Sequence, residues 1–183
     1  MELMNELKAR IPDYAKDIRL NLDAAILRSS LEPRHAHGAA LAAAFAARSK
    51  TLVDALRDAP ALDGGHGNAA LTAAALMGMN NTWYPYVEMA GDAELATVKP
   101  ELRMNAYATH GGVDRASFEL YALAASIVGK CHFCVASHYK LLRESGLTLQ
   151  QLRDVGRIAA VVNAAAQVLA IAEATPGTLA AAA

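Results

Sequence analysis

The chain has 183 residues, of which 54% are hydrophobic and 19% are charged, and its formal net charge at pH 7 is -1. This length suits a single domain with a buried core, and 17 Lys and Arg against 18 Asp and Glu exclude a basic nucleic-acid-binding arm or a polybasic membrane patch. Two cysteines are too few for a disulfide-stapled secreted fold.

Alanine, the residue with the highest helix propensity, is abundant, and no long segment alternates with the two-residue period of a strand. We therefore predict an all-α fold in one domain over residues 1–183. Glycine and proline mark the expected breaks. Helices are predicted over 2–9, 13–28, 32–50, 69–89, 101–110, 114–128, 131–144 and 149–175. The helix over 32–50 has a continuation over 51–58, and the helix over 69–89 has interruptions near Asn80 and Pro85. Connections are predicted over 60–68 and 91–100.

An internal duplication is one reading of the pattern. A shift of 82 residues aligns the identical segments 40–43 and 122–125. It divides the chain into pseudo-repeats over 31–100 and 113–175, with both cysteines in the second. Chance similarity between alanine-rich helices is the alternative.

The chain shows no targeting or membrane signal. Its amino terminus is polar and carries Glu2, Glu6 and Lys8, whereas a secretion signal needs an apolar stretch there. The apolar run 39–47 is far short of the roughly 20 residues that span a bilayer. We therefore expect a soluble, cytoplasmic protein with no membrane partner. In that compartment, closely spaced cysteines are more often catalytic or metal-binding than structural.

Cys131 and Cys134 form the most informative motif. Three residues apart on a helix, they share one face and can approach disulfide distance. Gly129 suits the end of the preceding helix, which places both cysteines in the first turn of the next one. Unpaired N–H groups in a first turn favour thiolate over thiol, as peroxide attack and disulfide exchange require.

His138 and Glu119 complete a candidate acid–base relay. His138 follows Cys134 by one helical turn and can serve it as a base, while Cys131, nearer the helix start, is expected to be the more exposed cysteine. Glu119 would be about 18 Å from Cys131 on one continuous helix. A chain reversal at Gly129 would instead bring Glu119 beside His138, so that the carboxylate orients the imidazole and the imidazole deprotonates a thiol.

Other uses of these residues are weighed against the relay. The cysteine pair could be buried packing, or it could bind zinc with His132 and His138. Four ligands from two turns of one helix surround a tetrahedral ion poorly, so we expect no bound metal. His132 and His110 are retained as secondary site candidates.

Several features together carry a family resemblance: Glu119, the Cys-x-x-Cys-x-x-x-His pattern twelve residues later, and the segments 106–112 and 152–160. In these features the chain resembles the alkyl hydroperoxidase D (AhpD-like) proteins of the carboxymuconolactone decarboxylase-like superfamily. The resemblance covers nearly the whole chain. It implies an all-helical fold assembled as a homotrimer or a hexamer. It also implies a redox disulfide in which Cys134 becomes a sulfenic acid, Cys131 resolves it, and Glu119 and His138 form the relay.

The same resemblance implies the redox partners. Electrons would come from a dihydrolipoyl group on a lipoyl-carrying protein of a 2-oxoacid dehydrogenase complex, with no cofactor bound by the chain itself. They would pass to an alkyl hydroperoxide or to the peroxiredoxin alkyl hydroperoxide reductase C. Some family members have a histidine just before the second cysteine, whereas this chain has Phe133 there and His132 one place earlier. A carboxymuconolactone-decarboxylase-type lyase and a zinc-binding interaction module remain alternatives.

Overall fold

The computed structural model describes residues 2–174, and side chains from residue 5 onward. Over this range the fold is all-α, as predicted, and contains no β-strand. Residues 1 and 175–183 of the predicted domain, including the end of its last helix and of its second pseudo-repeat, lie outside the described residues. The helices are α1 Glu2–Ala9, α2 Lys16–Ile26, α3 Pro33–Ala46, α4 Lys50–Arg57, α5 Gly64–Ala90, α6 Asn105–Ala108, α7 Arg115–Gly129, α8 His132–Glu144 and α9 Leu149–Ala174.

Four long helices, α3, α5, α7 and α9, form the centre of the bundle, and α8 packs on α5 and α7. Alanine lines much of their contact surface, with residues 39–40 and 42–44 of α3 and 124–125 of α7 fully buried. Small side chains let helix axes approach closely. At Gly38 even a Cβ would come within 2.3 Å of the Tyr121 ring, so α3 and α7 touch through backbone and aromatic ring there.

Among the described helices, only α9 is long and apolar enough to cross a membrane. It packs against α2, α3 and α7 and buries Leu152, Val155, Ile158 and Val162 in the common core. In this fold α9 is therefore a core helix of the bundle.

The structure corrects the breaks that were predicted before and within α5. The predicted connection over 60–68 is too long, since α5 already begins at Gly64. The Asp63 carboxylate caps this helix by accepting the N–H of His66 at 2.8 Å. The predicted interruptions at Asn80 and Pro85 are wrong, since α5 runs unbroken to Ala90. Pro85 removes one backbone donor, and packing of α5 against α7 and α8 holds the helix together across it.

The predicted helix over 101–110 is mostly absent. Only α6 is α-helical there, followed by a 3₁₀ turn over His110–Gly112. Glu101 and His110 have φ values of 50° and Gly111 has 61°, and such left-handed residues cannot lie inside a right-handed helix.

The boundaries of the helices correspond under the 82-residue shift. Arg48 and Lys130 both adopt left-handed backbone, with φ of 58° and 56°. The next residues, Ser49 and Cys131, are the N-caps of α4 and α8, and each side chain accepts the N–H three residues later. The helix predicted over 32–50 therefore ends at the Arg48 turn, and its predicted continuation is the separate helix α4, just as Lys130 separates α7 from α8. The correspondence favours duplication, which we retain as a proposal.

Gly129 offers a test of the packing that positions the cysteine turn. A Cβ at Gly129 would lie 2.2 Å from Asn81 Nδ2, which donates to the carbonyl of Ala125 at 3.2 Å. We expect Gly129→Ala to displace Asn81 and lower the free energy of unfolding by about 1–3 kcal/mol in chemical denaturation. The matched control is Gly78→Ala on the exposed face of α5, where a Cβ meets nothing within 4 Å. Equal stability of the two variants would contradict this account.

Candidate active site

The cysteine pair lies at the turn between α7 and α8 and is disulfide-bonded, with the two Cα atoms 5.3 Å apart. The left-handed Lys130 reverses the chain, and Cys131 then caps α8, its Sγ accepting the N–H of Cys134 at 3.2 Å. Cys131 is 0% and Cys134 3% exposed, so the expectation of a more exposed Cys131 is wrong. The cap conformation turns its sulfur back onto the first turn of α8.

Glu119 and His138 meet across the α7–α8 hairpin, as the predicted reversal requires. Glu119 Oε2 lies 2.6 Å from His138 Nδ1, and both side chains are buried. Twelve residues separate Glu119 from Cys131 along the chain, yet the hairpin places the carboxylate and the imidazole in contact, and the disulfide lies at the turn that joins α7 and α8. A buried carboxylate–imidazole pair of this kind can transfer protons in acid–base chemistry.

Tyr107 also forms a hydrogen bond with Glu119 and was not singled out by the sequence. Its hydroxyl donates to Glu119 Oε1, and Arg115 Nε lies 3.8 Å from the same oxygen. Arg115 is one turn before Glu119 on α7, a spacing that sequence can suggest. Tyr107 belongs to α6, and no periodic pattern connects it to Glu119.

These contacts define the ionisation of the carboxylate. Burial alone would raise the pKa of Glu119, but hydrogen bonds from His138 and Tyr107, with the nearby His138 and Arg115 charges, lower it below its ordinary value. Burial, together with the hydrogen bond to Glu119, raises the pKa of Tyr107, which therefore stays protonated as the donor. The carboxylate of Glu119 consequently acts as an acceptor at both oxygens.

The other ring nitrogen of His138 faces Met77. His138 Nε2 lies 3.2 Å from the Sδ of Met77, a fully buried residue of α5. Within the described residues, no hydrogen bond joins His138 to either cysteine in this disulfide-bonded state. Met77 was not identified from the sequence, since a methionine in an apolar helix carries no signal beyond packing.

The two secondary candidates, His132 and His110, lie outside the hydrogen-bonded network of Tyr107, Glu119 and His138. His132 is exposed, and its Nδ1 lies 3.1 Å from Glu88 Oε1 on α5. The His110 ring packs edge-on near Tyr107, with centroids 6.4 Å apart. His132 and His138 thus engage different carboxylates, and the described part of the chain holds no cluster of three potential metal-ligating residues.

An apolar groove of about 750 Å³ opens beside the first turn of α8. Phe133 forms part of its wall and stacks on Tyr84 of α5, with ring centroids 4.3 Å apart and planes at 26°. Glu88, Lys99 and His132 provide its polar edges. The remaining lining residues are mainly apolar and come from α5, the segment 95–100 and α8: Trp83, Val87, Leu95, Ala96, Thr97, Val98, Pro100 and Ala136.

Comparisons with known proteins agree with this geometry. Residues 94–176 match the Carboxymuconolactone decarboxylase family. Proteins named Alkyl hydroperoxide reductase AhpD are similar over most of their length. The protein of Rhodospirillum centenum is 44% identical over 165 residues, covering 89% of this chain and 88% of its own. Those of Bradyrhizobium sp. and Maricaulis maris are 40% and 42% identical, covering 94% and 91% of this chain and 96% and 97% of their own.

Identity at this level over nearly the full length of both chains shows common descent, and the redox motif lies inside the matched region. The chain therefore belongs to the family of these AhpD proteins, with a carboxymuconolactone decarboxylase domain in its carboxyl-terminal half.

Proposed function

We propose that this protein is an antioxidant thiol peroxidase that reduces alkyl hydroperoxides through Cys131 and Cys134. The observation that carries the proposal is the buried cysteine pair at the start of α8, in the same hairpin as the Glu119–His138 pair. The names of its relatives support the same substrate class.

The proposed peroxide reaction has two steps. The Cys134 thiolate attacks the O–O bond, sulfur gains the terminal OH as a sulfenic acid, and the alkoxide leaves as an alcohol after taking a proton from His138. The Cys131 thiol then attacks the Cys134 sulfur, which forms the disulfide and releases water. Hydroperoxide is reduced by two electrons and the dithiol is oxidised by two.

We propose that a dihydrolipoyl group on a carrier protein restores the dithiol. Its dithiol ends a slender apolar chain, which suits the apolar groove at Phe133 better than a bulky charged thiol would. The reduced pair can also pass electrons by disulfide exchange to alkyl hydroperoxide reductase C, the peroxiredoxin partner. A reducing cytoplasm is the compartment in which such a cycle is sustained.

Homotrimer assembly is part of this proposal. Tyr86 and Met89 of α5 are large apolar residues that are half or more exposed in the single chain, next in sequence to the groove residues Val87 and Glu88. Exposed apolar patches of this kind mark subunit contacts or binding surfaces.

A lyase of the carboxymuconolactone decarboxylase type is the second candidate, because residues 94–176 match that family. Ring-lactone decarboxylation has no need of paired cysteines. Activity that survives complete thiol alkylation would favour the lyase.

The cysteine roles are separable by substitution. Cys134→Ser should abolish peroxide consumption, because it removes the attacking sulfur. Cys131→Ser should consume about one equivalent of peroxide and then stop, because the sulfenic acid forms without a resolving thiol. Stopped-flow peroxide assays with mass spectrometry check both. Full turnover by Cys134→Ser would exclude the mechanism.

Loss of the buried carboxylate should slow the chemistry. Glu119→Gln leaves His138 without its charged partner, and we expect kcat to fall by about 100-fold with KM little changed. Glu144→Gln, at an exposed carboxylate of α8, is the matched control and should retain wild-type rates. Identical kcat values in the two variants would exclude Glu119 from the relay.

Kinetic assays can test both the proposed electron donor and the groove at Phe133 that would bind it. With dihydrolipoamide, glutathione and thioredoxin as reductants, only dihydrolipoamide should support rapid turnover. Val98→Asp places a carboxylate in the groove and should raise KM for dihydrolipoamide by about tenfold. Leu149→Asp, at an exposed apolar residue of α9, should not raise it. Equal KM values in both variants would exclude the groove as the donor site.

A further inference from the structure

His138 is held at both ring nitrogens in the disulfide-bonded protein. Nδ1 lies 2.6 Å from Glu119 Oε2, and Nε2 lies 3.2 Å from Met77 Sδ. A thioether sulfur carries no hydrogen and can only accept. A lone pair on Nε2 facing the sulfur lone pairs at this distance would be repelled, so the contact is favourable only when Nε2 carries a proton.

The proton count of the buried pair follows from these contacts. One proton lies in the Nδ1–Oε2 hydrogen bond, and a second lies on Nε2. Glu119 Oε1 is occupied by the hydroxyl of Tyr107, which brings its own proton. The pair therefore stores one proton more than a neutral imidazole beside a carboxylate would hold. As imidazolium and carboxylate it has no net charge, which makes its burial tolerable.

We propose that Met77 is a positioning residue that holds the Nε2 proton of His138 while the disulfide is closed, so that this proton is available to Cys134 when the disulfide opens. The proposal rests on the thiol redox function proposed above. Met77 does not touch the reacting sulfurs in this assignment; it acts through the imidazole.

The chemical step is disulfide exchange. A donor thiolate attacks the Cys131 sulfur, the Cys131–Cys134 bond breaks, and its electron pair leaves on Cys134 as a thiolate. That thiolate takes the Nε2 proton from His138, which the imidazole regains from solvent after it has protonated the alkoxide in the peroxide step. The second donor thiolate attacks the mixed disulfide and releases Cys131, so the donor loses two electrons, the cysteine pair gains them, and the donor ends as a disulfide.

The Nε2 proton moves from the Met77 contact to Cys134 because the thioether and the thiolate differ in strength as hydrogen-bond acceptors. A neutral thioether is a weak acceptor, whereas a thiolate is charged and accepts far more strongly. Cys134 is one helical turn before His138 on α8, on the same face. While the disulfide is closed, Cys134 carries no charge and Met77 is the acceptor in contact. Once the thiolate forms, it outcompetes the thioether.

Other charged or titratable groups face this pair from the surrounding helices. Tyr107 approaches from α6, Arg115 from α7 and the two cysteines from α8. Arg115 and Tyr107 contact only the carboxylate end. From α5, Met77 contacts the imidazole of His138.

Met77→Leu tests the proposal because it removes the acceptor and largely keeps the volume. In ¹⁵N-histidine NMR of the oxidised protein, we expect Nε2 of His138 to be protonated in the wild type and to carry a proton in a smaller fraction of the molecules in Met77→Leu, because the mutant lacks one weak hydrogen bond to the protonated form. Single-turnover reduction of the disulfide by dihydrolipoamide should slow about three- to tenfold, as expected for loss of one weak hydrogen bond. Met77→Gln restores an acceptor and should recover both properties.

Met79→Leu is the matched control, since Met79 is also a methionine of α5 and lies about 200° around the helix from Met77. Its His138 signals and reduction rate should equal those of the wild type. Unchanged Nε2 protonation in folded Met77→Leu would overturn the proposal. If Met77→Leu does not fold, an unprotonated Nε2 in the oxidised wild type overturns it equally.

Failure of the proposed function is a separate result. The NMR measurement needs no peroxide and no turnover. Absence of peroxide consumption in the wild type, with Nε2 still protonated against Met77, would overturn the peroxidase proposal. Normal peroxide turnover with an unprotonated Nε2 would overturn only the role of Met77.

Discussion

The buried bond between Glu119 and His138 is the contact on which the site depends. It joins two ionisable groups that would be costly to bury separately, and each of them satisfies the hydrogen bonding of the other at 2.6 Å. The pair also fixes how α7 and α8 lie against each other, since the bond forms only when the chain reverses at Lys130. The same constraint therefore stabilises the hairpin and aligns the imidazole with the sulfur-bearing turn.

The sequence predicted those parts of the site that are close along the chain. The spacing of Cys131, Cys134 and His138 on one helix, and a reversal near Gly129 that returns Glu119, follow from helix periodicity and glycine geometry. Met77 and Tyr107 could not be found in this way, because α5 and α6 reach the site through tertiary packing. The continuity of α5 through Pro85 has the same origin, since packing overrides a local helix-breaking signal.

Under the proposed duplication, the two pseudo-repeats contribute unequally to the proposed redox site. Under the 82-residue shift, Cys131, Cys134 and His138 correspond to Ser49, Leu52 and Leu56, so the first unit has the turn and the cap without the redox groups. The first unit instead supplies α5, which packs against the reactive turn. On this view the earlier unit provides the scaffold and the later one the chemistry.

One face of α5 contacts the site at four successive positions. Met77 contacts His138, Asn81 packs on Gly129, Tyr84 stacks on Phe133 and Glu88 pairs with His132. These four positions, separated by four, three and four residues, recur at the helical repeat and make one straight row. The groove wall at Tyr84 and Glu88 is therefore continuous, through a single helix, with the contacts to the imidazole and to the cysteine turn. A change in the register of α5 would alter all four contacts together.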